Sequence, residues 1–446
     1  MAQVTQGQKT GVALVGCGVV GTGVVKLLLE DADLLETRSG VRLELRHLVD
    51  VDFTRARAAG VDESLLRSDL TEALADKQTA VVIELVGGTT IARTIVSQAL
   101  SAGKHVVTAN KALLAHHGPE LFALARQNGV CIGFEASCVG GVPVIGALTR
   151  GLLANDIEAL YGIVNGTCNY ILSNMTSSRA AYADVLAEAQ AAGLAEADPT
   201  LDVAGIDSAH KLTILAALAF GKRIDLDAIA VEGIEHLDTI DIRYGMELGY
   251  TVKLLAIACR QAEGLSLRVH PAFIRNDHPL AGVADAFNAV SVYGHTTGHT
   301  LYYGRGAGSR PTASAVVADV LAVATGLLPG QFAQLGIWPD RTEPARQLPM
   351  AQVRGPYYLR VTCKDVPGVL AQIADILGRH EISIASALQH KAPAGQTAGV
   401  PVVVTTHEAV EGNVEAARRQ IDALESVKAP TVIVRIVPEH EEPEVR

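Results

Sequence analysis

The sequence predicts an α/β protein with three parts: a doubly wound parallel sheet, an α+β region and a C-terminal β-α-β-β-α-β unit. Three observations predict this fold. Short apolar runs alternate with helical stretches over the first 135 residues, an acidic segment at 196–211 opens an apolar helix, and strand and helix patterns alternate again after residue 356. With 446 residues, 49% of them hydrophobic, the chain can bury a core in about three domains.

Composition excludes several classes of function. A formal net charge of −11 disfavours a nucleic-acid partner. Apolar runs fall short of the roughly 20 residues that a membrane span needs, and the start "MAQVTQGQK" lacks the features of a secretory signal, so we expect a cytoplasmic protein without membrane association. The six cysteines form no C-x-x-C pair, which argues against disulfides or a zinc site and predicts reduced, mostly buried thiols.

A glycine turn follows the first apolar run, "GVALV". Gly16, Gly18 and Gly21 form G-x-G-x-x-G between a predicted strand and the helical stretch "VVKLLLEDADLL". In this context the glycines allow a tight turn and a close approach to a pyrophosphate, which the helix N-terminus attracts. The first part therefore predicts a dinucleotide-binding domain.

The second strand, at 43–49, ends at Asp50. A carboxylate there can accept hydrogen bonds from a ribose 2′-hydroxyl and repels a 2′-phosphate, which favours NAD over NADP. Arg55 or Arg57 could still receive a phosphate, so NADP stays open. Further strands at 80–86 and 105–109 lead to "TANK", which places Asn110 and Lys111 at the edge of the sheet where ligands bind; a solvated loop lysine is the alternative.

Two stretches of the middle region carry polar residues at unexpected places. Glu135 is predicted inside an apolar strand, where it needs a cation or hydrogen-bond donors. "YGIVNGTCNYILSNM" reads as strand, turn and helix, with Asn165, Thr167 and Asn169 as hydrogen-bonding residues at the turn, where helix caps are the alternative to ligands.

The segment "EADPTLDVAGIDSAHKL" places four carboxylates ahead of the apolar helix "TILAALAF". Asp198-Pro199 interrupts the preceding helix, and Gly205 and Asp207 predict a turn and a new helix. Asp207 and Lys211 then lie four residues apart on one helix face. A cap with a surface ion pair is possible, but a helix apolar on all sides is buried, so its polar first turn predicts a cleft.

At these residues the chain resembles homoserine dehydrogenase. The stretch 189–211 fits the family's signature at Gly193, Asp198, Pro199, Asp202, Gly205, Asp207 and Lys211, and "GCGVVGTGVV", "TANKALLA", "FEASCVGGVPV", "VNGTCNYIL" and "YYGRGAGSRPTASAVVADV" resemble family segments in the same order. The resemblance covers roughly residues 11–325. It implies a Rossmann-type domain and reversible NAD(P)-dependent reduction of aspartate 4-semialdehyde to homoserine, in threonine, methionine and isoleucine biosynthesis.

The resemblance also implies roles for single residues. Lys211 matches the proton donor to the aldehyde oxygen, and Glu196 and Asp207 match the groups that hold the substrate. Asp202, which is expected to support Lys211 or its network, and Thr167 complete the expected substrate-binding residues. Val19, Val20, Lys111, Gly193 and Gly308 match positions that contact the nucleotide, and they join Asp50 and the glycine motif, Gly16, Gly18 and Gly21, as the expected cofactor-binding residues. Asp50 stands where NADP-preferring members have a basic or neutral residue, which puts NADP preference in doubt. Glu135, with the backbone of Cys138, Gly140 and Val142, matches a monovalent-cation site, for sodium. The chain departs from the family at Cys168, where threonine is more frequent, and at Cys138, where valine is common.

The C-terminal part predicts strand, helix, strand, strand, helix, strand from "YYLRVTC" to "VIVRIV", a ferredoxin-like order. Its turn "DVPGVL" resembles that of an ACT domain, which implies pairing between copies and an amino-acid effector, threonine; a pairing module without an effector is the alternative. We therefore expect a homodimer or homotetramer. The predicted domains are 1–135, completed by 300–325, for the dinucleotide; 136–299 for substrate binding, catalysis and dimerisation; 326–350 as a linker; and 351–446 as the ACT domain.

Two other functions compete with this interpretation. A phosphorylating semialdehyde dehydrogenase would need a thiolate nucleophile, for which Cys138 and Cys168 are the candidates, but neither explains the cluster at 196–211. A non-catalytic sensor of NAD or of an amino acid would not need Lys211.

Overall fold

The computed structural model describes residues 8–390, 399–438 and 440. Residues 1–7, where the sequence predicts no secretory signal, lie outside the described part. The chain divides into two compact units. The first unit contains the described residues up to Gly166, with Asp207–Leu226 and Phe287–Ala345, and the second contains Thr167–Ile206, Asp227–Ala286 and the described residues from Arg346 onward.

The described residues form these strands: β1 Gln8–Val15, β2 Val41–Val49, β3 Leu66–Arg67, β4 Thr79–Glu84, β5 His105–Thr108, β6 Ile132–Gly133, β7 Ile157–Ile163, β8 Ala230–Val231, β9 Tyr250–Gln261, β10 Gly264–Arg275, β11 Phe287–Gly294, β12 Gly298–Arg305, β13 Arg354–Gly355, β14 Tyr357–Cys363, β15 Ile384–Gln389, β16 Val400–Thr406, β17 Ala409–Val410 and β18 Val427–Ile436.

They also form these α-helices: α1 Val19–Glu30, α2 Ala32–Ser39, α3 Thr54–Ala58, α4 Thr71–Ala75, α5 Thr90–Ser101, α6 Lys111–Gln127, α7 Val144–Gly146, α8 Gly166–Ser178, α9 Tyr182–Ala191, α10 Thr200–Val203, α11 Ile206–Phe220, α12 Thr239–Glu247, α13 Ser309–Ala324, α14 Leu327–Gln334, α15 Val369–Arg379 and α16 Glu411–Asp422.

The first unit contains the predicted parallel sheet. Its strand order is β3-β2-β1-β4-β5-β6, and every pair is parallel. The chain moves outward from β1 in one direction and then from β4 in the other, so a crevice opens where the order reverses, at the carboxyl ends of β1 and β4. This arrangement confirms the Rossmann-type, doubly wound prediction.

Helix α13 packs closely on the first helix of this sheet. A Cβ added at Gly23 in α1 would lie 2.8 Å from the carbonyl oxygen of Ser309 and 3.0 Å from the Cβ of Ala313. The Ser309 hydroxyl also donates to the carbonyl of Val19, at 2.7 Å. A side chain at position 23 would therefore force the two helices apart.

Each unit also contains antiparallel strands. In the first unit β11 pairs with β7 and β12. In the second, β9 and β10 form a long hairpin that pairs twelve residues of each strand. Together with the helices between them, these strands confirm the predicted α+β region.

The C-terminal part has the predicted β-α-β-β-α-β order, from β14 through α15, β15, β16 and α16 to β18. Its sheet runs β18-β14-β16-β15, the ferredoxin-like arrangement, and its core contains Leu359, Ile373, Val404, Val414 and Ile421. At one edge β18 pairs in parallel with β10, through Ala272 and Arg435. The ACT sheet and the β9–β10 hairpin are therefore continuous within the second unit.

The stretch after residue 325 differs from the irregular linker that its polar, proline-containing sequence suggests. It begins with α14, and Trp338 is buried against Phe122, Phe134 and Phe332. Arg126 binds Asp340 through Nε, at 2.7 Å. This aromatic cluster and the ion pair attach the stretch to the first unit as far as residue 340.

No single helix among the described residues is long and apolar enough to cross a membrane. Helices α13 and α14 pass that test of length and composition as a pair, although they are bent by 78° relative to each other.

A buried ion pair fixes α12 to the sheet of the ACT domain. Asp241 is 1% exposed, and its carboxylate accepts hydrogen bonds from Arg360 Nε at 2.6 Å, from Arg360 Nη2 at 2.8 Å and from the Tyr358 hydroxyl at 2.8 Å. These contacts also raise the pKa of Arg360. Its guanidinium therefore stays charged, and Asp241 is its main carboxylate partner, because Asp238 is largely exposed and lies 3.9 Å away.

We expect Asp241→Ala to destabilise the second unit by about 3–5 kcal/mol, because it leaves the Arg360 guanidinium buried without its carboxylate. The matched control is Asp277→Ala, which breaks an ion pair with Arg275 at a largely exposed position and should leave the unfolding midpoint nearly unchanged. Urea unfolding followed by circular dichroism measures both changes. Equal midpoints for the two variants would contradict the prediction.

Candidate active site

Helix α11 begins where the sequence predicts it. Gly205, just before the helix, has φ +84°, and a Cβ there would lie 3.1 Å from the side chains of Val231 and Val269. The left-handed conformation and the close packing both require glycine. The helix then begins at Ile206, which places Asp207 in its first turn and Lys211 one turn later.

Lys211 is held in a fixed position. Its ammonium donates to Asp207 Oδ2 at 2.6 Å and to the backbone carbonyl of Val164 at 2.7 Å, and its side chain is 12% exposed. The predicted i, i+4 contact is therefore present, and Lys211 does not extend into bulk water.

Asp207 connects Lys211 to two further residues. Lys111 Nζ lies 3.0 Å from Asp207 Oδ1, and the side-chain amide of Asn165 donates to Oδ2 at 2.9 Å. Burial alone would raise the pKa of Asp207, but the charges of Lys211 and Lys111 and the hydrogen bonds from Lys211 and Asn165 hold it well below its usual range. Asp207 is therefore an anion between two cations, and the three groups carry a net charge of about +1.

Lys111 is positioned by a buried network at the carboxyl ends of β4 and β5. Asn110 caps α6 by accepting from the N–H of Leu113 at 3.0 Å, and its own N–H donates to the Thr108 hydroxyl. That hydroxyl donates to Glu84, which also accepts the N–H groups of Val86 and Gly87. The sequence interpretation missed Glu84. An acid that ends an apolar strand, with a pair of glycines after two more residues, was the available signal.

The glycine turn has the geometry that phosphate binding needs. Gly16 has φ +93°, and a Cβ on it would lie 2.8 Å from the Leu85 carbonyl carbon. A Cβ on Gly21 would lie 2.2 Å from the Gly16 oxygen, whereas nothing approaches that of Gly18 within 4 Å. Val19 begins α1 and is 58% exposed, and Gly308, with φ +124°, precedes α13. The backbone at Gly18 is thus accessible to a ligand. Val20 is the second residue of α1 and lies in its first turn.

Asp50 contacts the glycine turn directly. One carboxylate oxygen accepts the N–H of Cys17 at 2.6 Å, and the other accepts the N–H of Val51 at 2.7 Å. Of the two arginines that could receive a phosphate, Arg57 pairs with Glu63. Asp50 therefore places a carboxylate at the end of β2, beside the turn.

The other predicted substrate residues belong to the second unit. Glu196 is exposed, and Gly193, with φ +70°, follows α9. The Thr167 hydroxyl donates to the Leu194 carbonyl at 2.8 Å, and Asp202 lies in α10. Asn165 was named only as a residue of the turn, and its contact with Asp207 was not foreseen.

Glu135 lies just beyond the strand in which the sequence placed it. Strand β6 ends at Gly133, and Glu135 opens a short 3₁₀ turn, where its two carboxylate oxygens accept the N–H groups of Ile145 and Gly146. The strand prediction was wrong because this carboxylate needs donors that a strand interior would not supply. Burial raises the pKa of Glu135 and raises that of neighbouring Asp319 to about 7. Cys138, Gly140 and Val142 lie in the loop that follows.

Comparison with known proteins identifies the family. Three family models match: "Homoserine dehydrogenase, NAD binding domain" over residues 16–135, "Homoserine dehydrogenase" over 143–321 and "ACT domain" over 357–425. The homoserine dehydrogenase of Neisseria gonorrhoeae is 43% identical over 434 residues, 96% of this chain and 99% of that protein. The chain belongs to the homoserine dehydrogenase family.

Other homoserine dehydrogenases agree over the whole length. That of Pseudomonas aeruginosa is 44% identical over 428 residues, 95% of this chain and 98% of that protein. The crystal structure of the enzyme from Thiobacillus denitrificans matches with a TM-score of 0.91 at 43% identity, covering 97% of this chain and 99% of that one. The predicted activity is therefore confirmed: NAD(P)-dependent interconversion of L-aspartate 4-semialdehyde and L-homoserine, in amino-acid biosynthesis.

The cysteines contradict the competing phosphorylating mechanism. Cys138 is fully buried, and burial raises the pKa of its thiol to about 12. Cys168 is also buried, and its Sγ donates to the Asp202 carbonyl at 3.2 Å. All six cysteines are free and buried, as predicted. Neither candidate has the accessible thiol that the nucleophile of a phosphorylating semialdehyde dehydrogenase would need.

Proposed function

We propose that Lys211 donates the proton to the aldehyde oxygen during reduction and accepts it back during homoserine oxidation. The bound nicotinamide supplies or accepts the hydride. Charge develops on the substrate oxygen as the hydride arrives, and a fixed ammonium can stabilise and protonate it. The observation that carries this proposal is the short contact of Lys211 with Asp207, which holds the ammonium in place.

Asp207 and Lys111 set the charge around this proton donor. Because Asp207 stays ionised at neutral pH, its negative charge offsets the repulsion between the ammonium groups of Lys211 and Lys111. The net positive charge that remains suits an oxygen that becomes negative in the transition state.

We assign the substrate's amino group to the carboxylates of the acidic segment. Homoserine and aspartate 4-semialdehyde both carry an α-ammonium, for which Glu196 and Asp202 are natural partners. Thr167 holds the start of that segment by its bond to Leu194. Gly193, Gly308, Lys111 and the turn from Gly16 to Gly21 are assigned to the dinucleotide.

We expect Lys211→Met to lower kcat for homoserine oxidation by about 10²–10⁴-fold, because the proton acceptor is lost, while the NAD dissociation constant stays within about threefold. Lys222→Met is the control, since Lys222 is exposed just after the same helix. Steady-state assays without phosphate, together with cofactor titration, measure both. Undiminished turnover in Lys211→Met would rule out this role.

The cofactor preference is assigned to NAD on the basis of Asp50. Its carboxylate lies beside the glycine turn, where it would repel a 2′-phosphate. A hyperthermophilic archaeal homoserine dehydrogenase, 27% identical and with a TM-score of 0.60, was crystallised with NADPH, so the family includes binders of the phosphorylated cofactor.

Asp50→Asn should raise the NADP to NAD ratio of kcat/KM by about tenfold or more, the equivalent of about 1.4 kcal/mol. The amide oxygen can still accept the Cys17 N–H, so the variant removes the charge and keeps the contact with the glycine turn, although it loses the acceptor for the Val51 N–H. The measurement is kcat/KM for both cofactors at one ionic strength. An unchanged ratio would show that Asp50 does not select the cofactor.

A sodium ion is assigned to the loop of Glu135, Cys138, Gly140 and Val142. Two observations support it: Glu135 and Asp319 are neighbouring buried acids with raised pKa values, and Val139 has φ +46°, a strained conformation for a β-branched residue. A nearby cation would offset the buried negative charge. Replacing sodium by choline at constant ionic strength should lower the melting temperature and the activity, and identical values would contradict the assignment.

The remaining assignments concern regulation and assembly. The ACT domain is assigned threonine as its effector, and the chain is assigned a homodimeric or homotetrameric state in the cytoplasm, with the dinucleotide, substrate and ACT domains, but not the linker, divided as the sequence predicts. Isothermal titration of the full chain tests the effector: no heat at millimolar threonine would exclude it. Sedimentation velocity tests the assembly, and a monomer would contradict it.

A further inference from the structure

Lys253, in the middle of the second unit, is a buried cation that the proposed chemistry does not use. It lies in β9 and is 3% exposed. Its ammonium donates to Asn169 Oδ1 at 3.1 Å and to the Val283 carbonyl at 2.5 Å, and it forms no ion pair with a carboxylate of the described residues. Burial lowers its pKa to about 8, although Asp285 acts to raise it. Burying an ammonium without a paired carboxylate lowers the stability of the fold, so stability alone does not explain why a lysine is found at this position.

The partner of Lys253 is a residue of the first turn of α8. Asn169 is 1% exposed, and its side-chain amide donates to the carbonyls of Val283 at 3.2 Å and Asp285 at 2.9 Å. Lys253 and Asn169 thus share the Val283 carbonyl. Together they join β9, the loop 283–285 and the start of α8.

The two residues before Asn169 hold the acidic segment. Thr167 binds the Leu194 carbonyl, and Cys168 binds the Asp202 carbonyl. These contacts fix the backbone near both ends of residues 194–202, which include Glu196. Three consecutive residues of one helical turn therefore link the buried lysine to the segment that carries the substrate carboxylates.

We propose that Lys253 is a positioning residue for substrate binding. Its ammonium fixes Asn169 and with it the first turn of α8, which in turn sets the backbone of segment 194–202. The inference rests on the substrate roles proposed for Glu196 and Asp202. A lysine that only stabilised the fold would leave the KM of the folded enzyme for homoserine unchanged. A positioning residue instead changes the binding of the amino-acid substrate and leaves the binding of the dinucleotide unchanged.

The test is Lys253→Met in the full chain. Methionine fills a similar volume without the donor, so we expect the KM for homoserine to rise about tenfold or more, since small displacements of binding groups have large effects. kcat should change by less than about threefold, and the NAD dissociation constant should stay unchanged. Lys253→Arg, which restores a donor, should recover part of the loss.

Lys104→Met is the matched control. Lys104 is also buried, and its ammonium donates to two backbone carbonyls, those of Asp76 at 2.8 Å and Thr79 at 2.7 Å, but it belongs to the first unit. We expect this variant to lose thermal stability without a change in the KM for homoserine.

A folded Lys253→Met with the wild-type KM overturns the proposal, and so does an equal rise in KM for Lys104→Met. Should Lys253→Met fail to fold, Asn169→Ala breaks the same link from the helix side and must raise KM in the same way; an unchanged KM there also overturns it. Failure of the underlying substrate roles is distinguishable, because Glu196→Gln and Asp202→Asn would then leave the KM for homoserine unchanged in an enzyme that keeps Lys253.

Discussion

The carboxylate of Asp207 is the constraint on which the site depends. It accepts hydrogen bonds from Lys211 and Asn165 and lies 3.0 Å from the ammonium of Lys111. Without this anion, the two ammonium groups would repel each other across a partly buried space. Burial alone makes an ionised aspartate costly, so the cations stabilise the anion as much as the anion positions them. The Asp207 carboxylate therefore sets both the charge around the proton donor and its position.

Local spacing made much of this structure predictable. The contact of Asp207 with Lys211 follows from four residues of helix, and the turn from Gly16 to Gly21 follows from steric limits on backbone approach. The parallel, doubly wound sheet followed from alternating apolar runs and helices. Contacts between distant residues were not predictable in the same way. Asn165 and Asp207 are 42 residues apart, and Glu84 meets Thr108 across neighbouring strands, so both contacts depend on how the elements pack. Glu135 was misplaced for a related reason: the donors that accommodate it come from Ile145 and Gly146, ten and eleven residues later.

The second unit shows how an ACT domain can be attached to an enzyme through both its sheet and its side chains. Strand β18 extends the sheet beyond β10, while Arg435 bridges Glu411 of the ACT domain and Glu232. Two residues after Glu232, the N–H of Ile234 donates to the Val203 carbonyl, next to Asp202. Ile234, whose backbone supports the acidic segment, is thus two residues from Glu232, whose side chain binds Arg435 of the ACT domain. Because these contacts are hydrogen bonds and ion pairs with defined geometry, they resist sliding more than an apolar interface would.

The contact of α1 with α13 has a consequence for biosynthesis. The surface of α1 at Gly23 is completed by Ser309 and Ala313, almost three hundred residues later in the chain. At roughly 5–20 residues per second, a ribosome needs roughly 10–40 s to extend the chain from the last strand of the parallel sheet to the end of α13. During that interval the newly made sheet lacks one of its covering helices and exposes apolar surface. The nascent enzyme is therefore a natural client for chaperones, and a chain truncated after the first 135 residues would aggregate more readily than the complete protein.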